Sequence, residues 1–314
     1  MHDDWATITP RWAGIRSEVI DLLGHDVHVL RAGDDVDGPP QLLVHGLGGA
    51  ATNWLEVIPA LARRGPVIAP DLPGFGATEP PRPRAARIEV NARFLWALAR
   101  HLDLQDLIVH GNSMGATVAV LTTQLMPERI ERLVLVAPAL PLGTPGVANI
   151  DSMTVRRFVP FVVPSLGSLV LRRRYRAQPL EDFWAEHLAY VHADVSRVSP
   201  EMVRLGLDNL REYETTPWRL PSFVAAATSL VTAVAGRRIL QHAIDGVRSH
   251  TLVVWGDADR LVGRTVVDRV RARRQDWDVE VLAGVGHAPM MEVPDRYVQT
   301  VDEWLGRAGP TTGA

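Results

Sequence analysis

The segment Leu107-Ile108-Val109-His110-Gly111-Asn112-Ser113-Met114-Gly115-Ala116 passes without a spacer from a short apolar run into a helical pattern. Residues 107–110 have the length and composition of a buried strand, and residues 116–126 carry apolar side chains at helical spacing. Between them Gly111-Asn112-Ser113-Met114-Gly115 fits G-x-S-x-G. A strand that turns directly into a helix forces strained angles on its central residue. Gly111 and Gly115 remove the Cβ atoms that would collide around it. Ser113 then projects its hydroxyl at a helix N-terminus, where partial positive charge favours a developing anion.

The alternation of strand and helix extends to both sides. Gln41–Val44, 66–69 and 133–136 are short apolar runs, and 53–64 and 87–102 have helical periodicity. Uninterrupted apolar strands between helices predict a mostly parallel sheet with helices on both faces. Residues 19–23 and 27–30 flank Gly24-His25-Asp26 and predict a hairpin. After residue 136 the beat stops, and 139–235 shows helical patterns but no strand. It resumes with strand 251–255, helix 262–274, strand 279–282 and helix 294–305. The expected organisation is one α/β core, formed by 1–138 and 236–314, with a helical cap inserted at 139–235. Residues 309–314 are expected to fray.

Composition narrows the chemistry. The 314 residues are 46% hydrophobic and 22% charged, as in an ordinary globular protein. The formal net charge of -3 gives no reason to expect nucleic acid as a partner. All 33 basic residues are arginine, which excludes Schiff-base lysine, a P-loop lysine and a Ser–Lys dyad. The absence of cysteine excludes disulfides, a thiolate nucleophile and Cys-bound metal. No basic and apolar leader opens the chain, so a cytoplasmic protein is expected. The most apolar stretch, 158–171, is broken by Pro160 and Pro164 and is short of the ~20 residues that span a bilayer, so no stable membrane insertion is expected.

A nucleophilic serine needs a base, since its hydroxyl is protonated at neutral pH. Of the 11 histidines, His287 in Gly284-Val285-Gly286-His287-Ala288-Pro289 follows a predicted strand late in the chain. His110 lies inside a strand end, His45 reads as structural, and His101, His187, His192 and His242 fall on helical segments at the surface or in the cap. Chain order for such a nucleophile is Ser, acid, His. Trp255-Gly256-Asp257-Ala258-Asp259-Arg260 supplies two candidate acids, Asp257 and Asp259. His45-Gly46-Leu47-Gly48-Gly49 follows an earlier strand. It offers the Leu47 N–H, with Gly48 as second choice, to join the Met114 N–H in holding a tetrahedral oxyanion.

HGLGG at 45–49, DLPGFG at 71–76, GNSMGA at 111–116, WGDADRLV at 255–262 and GVGHAPMMEVP at 284–294 together resemble the α/β-hydrolase fold superfamily, in family order from about residue 17 to 305 outside the insertion. The resemblance implies an α/β-hydrolase fold with an inserted helical cap, nucleophile Ser113, base His287, acid Asp259 in preference to Asp257, and an oxyanion hole from Leu47 and Met114. It implies no metal and no organic cofactor. Relatives that open epoxides or dehalogenate alkanes use an Asp nucleophile, which Ser113 argues against. GNSMG resembles the carbon–carbon bond hydrolases of ring-cleavage products, but those carry Trp after the histidine where this chain has Ala288.

The expected function is a serine carboxylesterase or lipase-like hydrolase acting on a hydrophobic carboxylic ester through an acyl-enzyme. The alternatives with the same triad are a carbon–carbon bond (dienoate) hydrolase, a lactonase or an acyltransferase. A non-catalytic ligand receptor is the reading from another class. The ester expectation draws on the apolar stretches 158–164, 166–171 and 223–235 of the insertion, taken as an apolar pocket under a lid. Arg172, Arg173, Arg174 and Arg176 are expected to form a solvated face.

Overall fold

The computed structural model describes residues 4–141, 169–170, 173, 177–236 and 238–307. Its centre is an eight-stranded sheet. In chain order the strands are β1 (Arg16–Asp21), β2 (Asp26–Ala32), β3 (Gln41–Val44), β4 (Val67–Pro70), β5 (Leu107–Asn112), β6 (Ile130–Val136), β7 (His250–Gly256) and β8 (Asp278–Leu282). Their spatial order is β1-β2-β4-β3-β5-β6-β7-β8. The β1–β2 hairpin is antiparallel and joins β4 antiparallel, and every pairing from β4 to β8 is parallel.

The apolar runs are continuous because both faces of the sheet are covered. Successive side chains point to opposite faces. Leu107 and Val109 of β5, Leu133 and Leu135 of β6, and Val253 and Trp255 of β7 join one core. Ile108, Val134, Val136, Leu252 and Val254 join the other. Each such buried side chain contributes about 1.5–3 kcal/mol of burial free energy.

The helices are α1 (Ile58–Leu61), α2 (Ile88–His101), α3 (Met114–Thr123), α4 (Leu180–Val191), α5 (Pro200–Thr215), α6 (Arg219–Gly236), α7 (Arg238–Asp245), α8 (Arg264–Arg273), α9 (Pro289–Glu292) and α10 (Pro294–Leu305). α2, α3, α7 and α8 cover the first face, and α1 and α10 the second. The helix expected over 53–64 is instead a 3-10 turn, Ala51–Trp54, followed by the short α1. Two local causes divide it. Asn53 Oδ1 accepts the Ala50 N–H at 3.0 Å and fixes the turn. Pro59, lacking an N–H, sits at the start of α1, where helices tolerate it.

Between β6 and β7 the described residues contain helices and no strand. Residues 158–168 and 171, together with Arg172, Arg174 and Arg176, lie outside the described residues, and Arg173 is exposed. α6 is long and apolar enough to cross a membrane by length and composition, with mean hydropathy 1.2. Here it packs on the core domain. Val224, Ala226, Ala227 and Leu230 are buried, and Ser229 Oγ accepts the Ile88 N–H at 3.1 Å.

Candidate active site

Ser113 occupies the turn between β5 and α3 with φ +55 and ψ -113. That left-handed conformation is costly for a side-chain-bearing residue, so its surroundings must enforce it. The Ser113 N–H donates to Val136 O at 2.9 Å, and its carbonyl accepts from Ala116, Thr117 and Ala139. At Gly115 a Cβ would fall on the carbonyl oxygens of Val44 and His45. Only glycine lets α3 press against the end of β3.

That contact brings the loop after β3 beside the serine. A Cβ built on Gly46 would stand 3.4 Å from Ser113 Cβ. The Gly46–Gly49 turn closes through the Gly49 N–H donating to Gly46 O at 3.2 Å, which uses neither amide group of Leu47. The Met114 N–H is the first of α3, and the opening N–H groups of a helix have no intrahelical acceptor. His45 braces this loop. Its Nδ1–H donates to Gly46 O at 2.8 Å and its Nε2 accepts the Leu72 N–H at 3.0 Å. Both contacts suit the neutral ring, and burial pushes its pKa down.

His287 stands in the loop after β8, buried, with its Nδ1–H donating to Asp259 Oδ2 at 2.8 Å. The other oxygen, Asp259 Oδ1, accepts the Leu261 and Val262 N–H groups at 2.7 and 3.0 Å. The acid is therefore oriented on both sides. Asp257 is exposed and accepts the Gly284 N–H at 2.7 Å, a turn contact away from the imidazole. Asn112, next to Ser113, donates from Nδ2 to His287 O at 3.2 Å. The elbow and the histidine loop are thus joined directly.

The other histidines fall elsewhere. His110 is buried and shares a 2.8 Å hydrogen bond with the Tyr297 hydroxyl, and burial lowers its pKa to about 3. His101 and His242 are exposed and His187 is half-buried. His192 ends α4, inside the region expected to form the cap. It is buried, because the end of α4 docks on the histidine loop.

Glu292 was not singled out from sequence. The signal was one acid inside the apolar run Pro289-Met290-Met291-Glu292-Val293. Its side chain is fully enclosed. Burial alone would raise its pKa. His192 nearby and the N–H groups of Gly286, Ala193 and Asp194 outweigh that and hold it below the ordinary glutamate value.

The described helices before β7 meet the site at two places. The end of α4 touches the loops of His287 and Asp259: the His287 N–H donates to Val191 O at 2.7 Å, Tyr190 Oη donates to Arg260 O at 3.2 Å, and Arg260 donates back to Ala189 O. α5 and α6 cover the loop after β3. Asn209 Nδ2 donates to Gly48 O at 3.3 Å, and Leu47 packs with Leu220, Phe223, Val224 and Ala227. Arg219 is buried, yet its guanidinium is committed to Glu212, Asn209 Oδ1 and Gly76 O. Among the described residues no group of three or more His, Cys, Asp or Glu could hold a metal ion.

The comparisons with known proteins agree with this architecture. Residues 41–300 match the model of the alpha/beta hydrolase family. A 2-hydroxy-6-oxononadienedioate/2-hydroxy-6-oxononatrienedioate hydrolase of Pseudomonas putida is 30% identical over 268 residues, 84% of this chain and 87% of that protein. A meta-cleavage product hydrolase superposes with TM-score 0.72 at 22% identity, over 93% of this chain and 98% of that one. An esterase from Thermogutta terrifontis superposes with TM-score 0.69 at 24% identity, over 92% and 98%. With a family match across most of its length and the sheet order, elbow and histidine loop described above, this chain belongs to the alpha/beta hydrolase family.

Proposed function

We propose that the chain is a serine hydrolase with Ser113 as nucleophile, His287 as base and Asp259 as orienting acid, and that it cleaves the carbon–carbon bond beside the ketone of a 2-hydroxy-6-oxo-dienoate. The observation that carries the hydrolytic reading is the 2.8 Å bond from His287 to a buried Asp259, in a loop tied to the left-handed Ser113 turn. The choice of a carbon–carbon bond is supported by the Pseudomonas putida relative, whose name specifies that class of substrate.

His287 Nε2 takes the Ser113 Oγ proton as Oγ attacks the ketone carbon. The Leu47 and Met114 N–H groups hold the resulting oxyanion, and Asp259 stabilises the imidazolium. Collapse breaks the adjacent carbon–carbon bond. The step proceeds from the 2-oxo tautomer of the substrate, in which the 2-hydroxyl proton has moved to C5, so the pair released at C5 is delocalised onto the C2 oxygen as a dienolate, which takes the proton back from His287. Water, deprotonated by His287, attacks the acyl-serine, and the acid departs as Ser113 recovers its proton. One water is consumed, and one hydroxy-dienoate and one carboxylic acid form.

The second reading is hydrolysis of a hydrophobic carboxylic ester. Two observations favour it. The wall over the Leu47 loop is apolar, and both Nη groups of the buried Arg219 are committed to Glu212, Asn209 and Gly76 rather than to a substrate carboxylate. One experiment separates the readings: kcat/KM for a 2-hydroxy-6-oxo-nonadienedioate, followed by loss of its dienolate absorbance, against p-nitrophenyl esters from acetate to decanoate. The proposal expects the dienoate to lead by ~100-fold or more, about 2.7 kcal/mol of transition-state binding. Esters in the lead would replace it with the second reading. Equal loss of both activities in Ser113→Ala is expected in either case.

A further inference from the structure

We propose that Glu292 is a positioning residue that ties the helical insertion to the loop carrying His287, so that docking of the insertion and placement of the base are one event. The proposal rests on the reading of His287 as base.

Glu292 sits five residues after His287 with both carboxylate oxygens in use. Oε2 accepts the Gly286 N–H at 2.9 Å and the Ala193 N–H at 3.0 Å. Oε1 accepts the Asp194 N–H at 3.1 Å and Arg197 Nη1 at 3.5 Å. Gly286 immediately precedes the base, whereas Ala193, Asp194 and Arg197 belong to the segment that follows α4. One carboxylate thus spans the two units. Arg197 adds a direct tie by donating to Gly284 O at 2.9 Å, and His287 adds another through its own N–H on Val191 O. On the far side, Asn112 holds the His287 carbonyl. The backbone of the base is therefore gripped between the elbow and the insertion.

The chemistry of the grip calls for a carboxylate. Four donors converge on two oxygens, each able to accept two hydrogen bonds. Glutamine offers one accepting oxygen and turns two N–H donors toward donors, so half the set loses its acceptor. Aspartate keeps the acceptors but withdraws them by one methylene.

The test compares Glu292→Gln, Glu292→Asp and Arg197→Met with the wild type in the full chain. Active sites are titrated with a fluorophosphonate, and kcat and KM are measured on p-nitrophenyl acetate. Arg197 is partly exposed, so its variant guards against a folding failure at the enclosed Glu292. The expected result is a fall in kcat per titrated site of ~10-fold or more for Glu292→Gln and about 3-fold for Arg197→Met, with KM within about twofold and partial recovery in Glu292→Asp. Glu292→Gln that folds and keeps kcat per site within about twofold of wild type would overturn the proposal. Arg197→Met at wild-type kcat beside a disabled Glu292→Gln would also overturn it, because Glu292 would then serve the histidine loop alone. If His287→Ala itself retains kcat, it is the reading of the base that fails.

Discussion

The imidazole of His287 donates to Asp259 at 2.8 Å while two backbone N–H groups hold the other oxygen of the same carboxylate. An acid so arranged fixes the ring with its second nitrogen unprotonated, ready to accept a proton. Asp259→Asn is expected to lower kcat by about 10³–10⁴-fold, because the amide favours the wrong tautomer. Asp257→Asn removes only an exposed turn contact to Gly284 and is expected to stay within about threefold of wild type. Steady-state kinetics on any turned-over substrate decides between them, and the reverse ranking would move the acid to Asp257.

Gly115 makes a separate test of the elbow. Alanine there places its Cβ on the carbonyl oxygens of Val44 and His45, which lead into the loop of Leu47. Overpacking of this kind costs about 1–3 kcal/mol, and the shift needed to relieve it displaces the Leu47 and Met114 N–H groups proposed to hold the oxyanion. Gly115→Ala is expected to lower the urea midpoint and to lose kcat in the fraction that remains folded. Unchanged stability would mean that α3 and β3 are less tightly apposed.

His110 governs a pH dependence of stability. Its folded pKa is depressed to about 3 from an ordinary 6.5, so the unfolded chain binds a proton that the folded protein refuses. The stabilisation is full above pH 6.5 and is lost as pH falls from there toward 3, at up to about 1.4 kcal/mol per unit. His45, also lowered by burial, acts with the same sign. Urea midpoints measured from pH 7.5 to 5 should decline less steeply in His110→Gln than in the wild type. Parallel declines would mean that His110 titrates normally in the fold.

Asn209→Ala tests the second contact of the insertion. It frees Gly48 O and removes the side-chain acceptor of Arg219 Nη1. Since Gly48 follows Leu47, a loosened loop is expected to lower kcat/KM by about 5–10-fold while the His287–Asp259 pair is left intact. Full activity would show that the Asn209 contact is not needed to hold the loop.

The central strands β3 to β7 are legible because each contains a short apolar run covered on both faces, a pattern that needs no distant partner to recognise. The elbow was legible for a related reason: strand, turn and helix are contiguous in the chain, so Gly111, Ser113 and Gly115 announce themselves locally. Contacts closed over long sequence separations were not legible. Position in the chain leaves Asp257 and Asp259 equal, the resemblance to the family pattern prefers Asp259, and the path of the loop after β7 brings Asp259 to an imidazole 28 residues away. His192 reads as one more helical histidine until α4 ends on the histidine loop. Glu292 lies in the GVGHAPMMEVP motif, but its partners Ala193 and Asp194 come from an insertion whose packing no local pattern encodes. The expectation of an ester substrate came from the apolar character of that same insertion. The Pseudomonas putida relative is named instead for a 2-hydroxy-6-oxononadienedioate, a difference of substrate that no local pattern in the insertion records.

The buried guanidinium of Arg219 sets a boundary for anyone exchanging substrate pockets within this family. Its partners lie on two units at once, Asn209 and Glu212 in the insertion and Gly76 O in the loop after β4. A chimera that imports foreign helices without an equivalent cation leaves that carbonyl enclosed and dry. One that transplants residue 219 without its acid buries a naked charge. Successful grafts should therefore move residues 209–219 as a block and select donors whose loop geometry at position 76 matches.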